Sequence, residues 1–153
     1  MRAELPTLPA ILRNSPGFLL GKLGQHGAEL AESALAPLDL KARHFGVLVT
    51  LEAHEPVSQH ALSQVLRIDR TTMVSIIDHL ERLRLVERGL QPADRRTYQV
   101  RRTAAGRAAT EQARSAMTRA DAALVRSLAA DELAQLQKLL EKVYASEASA
   151  PAR

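Results

Sequence analysis

Neither cysteine nor tryptophan occurs among the 153 residues, and there are only two phenylalanines and two tyrosines. Without thiols the chain cannot form a disulfide, hold a metal through thiolates or sense oxidants through cysteine. A core this poor in rings must be built mostly from Ala, Leu and Val. That favours helices packed closely through small side chains. No segment approaches the roughly 18 consecutive apolar residues of a membrane-spanning helix. The first ten residues carry Pro6 and Pro9 and no apolar run of signal-peptide length. These absences predict a soluble, cytoplasmic protein with no membrane partner. A Gly-rich phosphate loop and an HExxH motif are also missing. Asp78 and His79 are helical neighbours that point in different directions. Glu52, His54 and Glu55 crowd one helix end without facing one site. The expectation is therefore no enzyme, no cofactor and no metal centre.

What is present is an ordinary globular balance, 46% hydrophobic and 25% charged, sufficient for one domain. The net charge of +4 matters less than where it sits. Pro16 opens a helical pattern with Ser15 as its N-cap. Phe18, Leu19, Leu23, Leu30 and Leu35 share an apolar face until Pro37 stops it. Residues 41–53 predict a second helix with Phe45, Leu48, Val49 and Leu51 turned inward. Ser58 caps a short helix over 59–66. A tight connection, Arg67-Ile68, leads to Asp69, the N-cap of a helix over 70–83. Met73, Val74, Ile76, Ile77, Leu80 and Leu83 form its expected buried stripe. Leu85-Val86-Glu87-Arg88 and Thr97-Tyr98-Gln99-Val100-Arg101 read as two strands around a basic tip, 89–96. Thr103 caps a long helix reaching about residue 129, and Asp131-Glu132 open a last one.

Two short helices joined by a tight turn and followed by a hairpin make a winged helix-turn-helix. The fold class expected is mainly α with a small β-hairpin wing. A helix fits the B-DNA major groove, and short polar side chains near its N-terminus reach base edges. Ser58, Gln59, Arg70, Thr71, Thr72, Ser75, His79 and Arg82 are the candidates on the two helices. The wing supplies Arg95 and Arg96, with Asp94 holding the tip's shape. Arginine favours a narrow minor groove because of its negative potential. Arg84, Arg88, Arg101, Arg102 and Arg107 add to the positive stretch, where only Glu87 and Asp94 oppose them.

Arg70-Thr71-Thr72-Met73-Val74, Leu80-Glu81-Arg82-Leu83, Leu85-Val86-Glu87-Arg88, Asp94-Arg95-Arg96-Thr97-Tyr98 and Thr103-Ala104-Ala105-Gly106 together resemble the MarR family of bacterial regulators. The resemblance spans residues 16–143. It implies a homodimer whose terminal helices interlock, with two lobes astride a pseudo-palindromic duplex DNA site. The expected division is an N-terminal arm and dimerisation helix over 1–36, the DNA-binding lobe over 37–103, and C-terminal dimerisation helices and tail over 104–153. The chain departs from the family pattern at three points. Arg67 and Arg84 stand where Gly is usual, so those turns are expected to be built differently. Ala129-Ala130 replace a Ser or Thr cap, with Asp131 and Glu132 compensating through the helix dipole.

Many members release DNA on binding small aromatic or phenolic acids, so the resemblance also implies a small-molecule effector. Gln25, His26, Arg43, His44 and Phe45 would line its pocket, a cation beside a ring suiting an aromatic carboxylate. The competing reading makes His44 a satisfied interfacial histidine and Arg43 a surface group. The expected function is a sequence-specific transcriptional regulator acting as a repressor. The alternative is an effector-independent architectural DNA-binding protein.

Overall fold

The computed structural model describes residues 7–91 and 94–148. Helix α1 (Ala10–Arg13) is a single turn. Helix α2 (Pro16–Leu35) begins as its sequence dictates, the Phe18 amide donating to Ser15 Oγ at 3.3 Å. A 3-10 turn, Ala36–Leu38, follows and ends on Asp39 in the left-handed region. Next come α3 (Ala42–His54), β1 (Val57–Ser58), α4 (Gln59–Leu66) and α5 (Arg70–Arg82). The strands β2 (Val86–Gln91) and β3 (Asp94–Arg102) precede α6 (Ala104–Leu124) and α7 (Ala130–Ala148).

The wing is a three-stranded antiparallel sheet in the order β1-β3-β2. Strand β1 was not expected. Val57 pairs with Val100 and Ser58 with Gln99, so the chain entering α4 is stitched to the wing. The hairpin strands are also longer than predicted, and the backbone of Asp94, Arg95 and Arg96 belongs to β3 rather than to a loop. Pro92 and Ala93 lie outside the described residues.

The core joins the lobe to the long helices. Leu35, Val47, Leu48, Leu51, Leu62, Met73, Ile76, Ile77, Leu80, Val86 and Val100 are all buried. On α3 the buried set is His44, Val47, Leu48 and Leu51. That is the i, i+3, i+4, i+7 stripe, and it leaves Phe45 and Val49 only half-buried at its margins. On α5 the same rule buries Met73, Ile76, Ile77 and Leu80 and turns Val74 outward, 39% exposed. Helix α2 lies against α6 through small residues. Ala31, Ala113, Ala116 and Ala120 are buried, and a Cβ on Gly27 would meet Leu124 at 3.2 Å.

Helix α6 ends five residues earlier than expected. The Val125 amide still reaches Asp121, but the next bond is a turn from Leu128 N–H to the Val125 carbonyl. Helix α7 then starts on half a capping box, the Glu132 carboxylate accepting from the Ala129 amide at 2.8 Å. This is more specific than the dipole effect expected of that residue. Among the described residues no helix is long and apolar enough to cross a membrane.

Candidate nucleic-acid interface

Three caps set the geometry of the lobe. Ser58 Oγ accepts from Ala61 N–H at 3.2 Å, Asp69 Oδ1 from Thr72 N–H at 2.9 Å and Thr103 Oγ1 from Gly106 N–H at 3.0 Å. The Thr72 side chain and amide, by hydrogen bonding, hold the Asp69 carboxyl below its ordinary value. Between α4 and α5 the chain reverses at Arg67 with φ 52° and ψ 41°. Arg84, before β2, has φ 58°. Both turns therefore keep the left-handed geometry that glycine adopts freely, and an arginine is forced into it. The expectation that these turns are built differently is corrected.

Helix α5 presents Arg70, Thr71, Val74, Ser75, Asp78 and Arg82 to solvent. Thr72 is half-buried at the cap. A cleft of about 540 Å³ separates the start of α5 from the wing, lined by Ser58, Gln59, Ser63, Arg70, Val74 and Tyr98 among others. Ser58 is occupied as a cap, and Gln59 Oε1 accepts from Arg88 Nε at 3.0 Å. The backbone of Asp94, Arg95 and Arg96 runs in β3 beside this cleft's Tyr98. Their side chains lie outside the described part.

Most other arginines of the positive stretch carry partners from distant segments. Arg88 pairs with Asp78 at 2.5 Å and with Glu81, clamping β2 to α5. Arg101 pairs with Glu87 at 2.7 Å. Arg102, 6% exposed, reaches Glu52 at 3.0 Å and Glu55 at 3.3 Å. Arg107 also reaches Glu55, at 3.0 Å, and Arg114 reaches Glu52. Hydrogen bonding from Arg102 chiefly holds Glu52 below the usual carboxylate range. Burial pushes Glu55 up, but the amide and guanidinium of Arg102 outweigh it and keep Glu55 low as well. Arg88 thus holds the wing to α5 and Arg102 holds it to α3, while Arg107 ties α6 to the same Glu55. The local excess of positive charge over Glu87 and Asp94 is smaller than the sequence suggested.

His79 turns inward from the expected DNA-facing side. Its Nε2 lies 2.8 Å from the Asp39 carbonyl, and its Nδ1 faces the Arg82 guanidinium. Arginine can only donate, so Nδ1 accepts and Nε2–H donates to Asp39. The ring stacks on His44 at 4.4 Å between centroids and 16° between planes. His44 is 5% exposed, and its Nδ1 accepts from the Lys41 amide at 3.0 Å. Burial above all, with the charges of Arg43 and Lys41 nearby, pushes His44 down to about 4 against the pull of Asp39. Periodicity could not reveal this pair, because 35 residues separate its members.

The proposed effector-pocket residues do not gather in one chain. Gln25 and His26 are exposed on α2 and face Glu29, at 3.4 and 3.7 Å. Arg43 is exposed at the start of α3 and lines an open groove of about 320 Å³ with Glu32 and Lys41. Phe45 is half-buried against the core. Elsewhere, α2, α6 and α7 enclose an apolar groove of about 510 Å³, including Leu20, Leu23, Leu124, Leu136 and Leu140. Beside it Leu139, Val143 and Tyr144 of α7 stand more than half exposed.

A family model described as the MarR family matches residues 38–97. The multiple antibiotic resistance protein MarR of Escherichia coli K12 is 32% identical over 128 residues, 83% of this chain and 89% of its own length. A solved structure of the transcriptional repressor CouR bound to a 23-mer DNA duplex superposes with TM-score 0.84. It is 27% identical and covers 92% of this chain and 99% of its own. CouR from Rhodococcus jostii RHA1 bound to p-coumaroyl-CoA gives TM-score 0.77 at 26% identity, covering 95% and 99%.

Proposed function

Since the chain belongs to the MarR family of DNA-binding transcriptional regulators, we propose that it is a homodimeric repressor, working in the cytoplasm on a pseudo-palindromic operator. The observation that carries this is the outward face of α5, with Arg70, Thr71 and Ser75 exposed beside an antiparallel wing. Arg70, Thr71 and Ser75 enter the major groove, and Arg95 and Arg96 on the wing lie along the backbone or minor groove. Thr72, Ser58 and Gln59 support these contacts by holding the helix starts. Arg82 sits at the far end of α5, with His79 fixing it.

Dimerisation rests on the apolar groove of α2, α6 and α7 and the exposed α7 stripe. A single chain leaves these surfaces in water, and a two-fold copy would bury them. Two-fold symmetry then spaces the half-sites about one helical turn apart. The effector reading keeps Arg43 as the anion partner at the groove between α2 and α3. His44 leaves the ligand set, because its ring is buried and its Nδ1 is already bonded. That CouR is solved with an aromatic acyl thioester supports an aromatic acid or its derivative as the class of effector.

Fluorescence anisotropy on the upstream intergenic DNA, against scrambled DNA at two salt concentrations, tests this. Tight selective binding that saturates at one dimer per site is expected. Equal, salt-steep binding to both duplexes would instead favour an architectural DNA-binding protein.

A further inference from the structure

Val74 is the single apolar side chain on the outward face of α5, among Arg70, Thr71, Ser75, Asp78 and Arg82. It is 39% exposed and is not among the residues packed on the core. It sits one turn in from the Asp69 cap and lines the cleft whose other wall, on β3, is Tyr98. Ser58, Ser63 and Arg70 supply the polar lining. An apolar patch within a polar groove-facing surface has one obvious counterpart on duplex DNA. Thymine alone presents a methyl group in the major groove, so an apolar contact separates it from cytosine at the same edge. Valine suits the task, since its branched side chain is stiff at χ1 and offers its methyls in a fixed direction.

We propose that Val74 is a specificity-determining residue that reads the C5-methyl of one thymine in each half-site. The inference rests on the regulator reading above, and the test separates the two. Binding sites are selected with the full-length protein from a random duplex library. Each thymine of the selected motif is then replaced singly by deoxyuridine, which removes only the methyl. At one position per half-site, loss of the methyl weakens wild-type binding about fourfold, the worth of one buried methyl group. Val74→Ala binds the thymine and deoxyuridine duplexes equally at that position. Val74→Thr keeps a methyl at the same branch point and retains most of the discrimination. Circular dichroism checks that both variants are folded, as an exposed position should allow. A selected motif in which no thymine methyl matters overturns the assignment while leaving the regulator reading intact. So does a Val74→Ala protein that still discriminates fourfold. Selection that enriches no motif overturns the regulator reading and this inference with it.

Discussion

Gly106→Ala tests the packing argument most sharply, because two physical effects predict opposite signs. Gly106 is the third residue of α6 after its Thr103 cap. Helix propensity alone says that alanine there should stabilise by about 1 kcal/mol. The structure says otherwise. A Cβ on Gly106 would stand 1.9 Å from the Leu85 carbonyl oxygen and 2.9 Å from its carbon. Reaching even 3.0 Å requires the oxygen or the helix to move by 1.1 Å. That oxygen is not free to yield. It accepts from the Thr103 amide at 3.0 Å and from Thr103 Oγ1 at 3.3 Å, and the Leu85 amide donates to the Leu80 carbonyl at 2.9 Å. Displacing it weakens hydrogen bonds of about 1 kcal/mol each, and overpacking adds about 1–3 kcal/mol. Net destabilisation of about 2–4 kcal/mol is expected after the propensity gain. Urea denaturation followed by circular dichroism measures it, at fixed protein concentration because the proposed dimerisation would shift apparent stability. Gly17→Ala is the control. It lies in the first turn of α2 with nothing within 4 Å of its Cβ, and should be neutral or stabilising. A Gly106→Ala protein as stable as wild type would refute the close approach of α6 to Leu85.

Other perturbations address separate parts of the molecule. His44 resists protonation in the folded state, its value lowered to about 4, so between that value and 6.5 the unfolded chain binds the extra proton. Its contribution is complete above pH 6.5 and is lost, to about 3 kcal/mol, as pH falls to 4; His44→Phe should flatten the pH-stability curve in that window, and parallel curves would count against the buried neutral ring. Arg84→Gly relieves the backbone at φ 58° and should raise stability by up to about 1 kcal/mol, read as an upward shift in Tm. Arg102→Met takes the buried guanidinium from Glu52 and Glu55, which keep Arg114 and Arg107 as partners, so a modest drop in Tm is expected, and it should shrink when both glutamates are also changed to glutamine. Leu139→Lys with Val143→Glu should shift the protein to monomer in sedimentation and weaken operator binding; an unchanged dimer would remove the α7 stripe from the interface.

Local chemistry was enough to predict much of this protein. Ser15, Ser58, Asp69 and Thr103 cap helices because each carries its acceptor within three residues of a free amide. The stripe of Met73, Ile76, Ile77 and Leu80 follows from helical period alone. The order of two short helices, a hairpin and long flanking helices then pointed to the winged fold and to the MarR family. Tertiary structure decided what depends on partners far away in sequence. Arg102 meets glutamates about 50 residues distant, so a stretch that read as free positive charge is largely neutralised. His79 meets Asp39 and His44 across α3, which periodicity cannot foresee, and Val57 finds a strand partner only when β3 comes alongside. Val74 is apolar by composition, yet the angle of its Cβ on α5 places it outside the buried stripe and turns it outward. Propensity disfavours arginine at φ above zero, yet both turns close on backbone bonds, Ile68 N–H to the Ser63 carbonyl and Leu85 N–H to the Leu80 carbonyl, with Arg67 and Arg84 in the left-handed region.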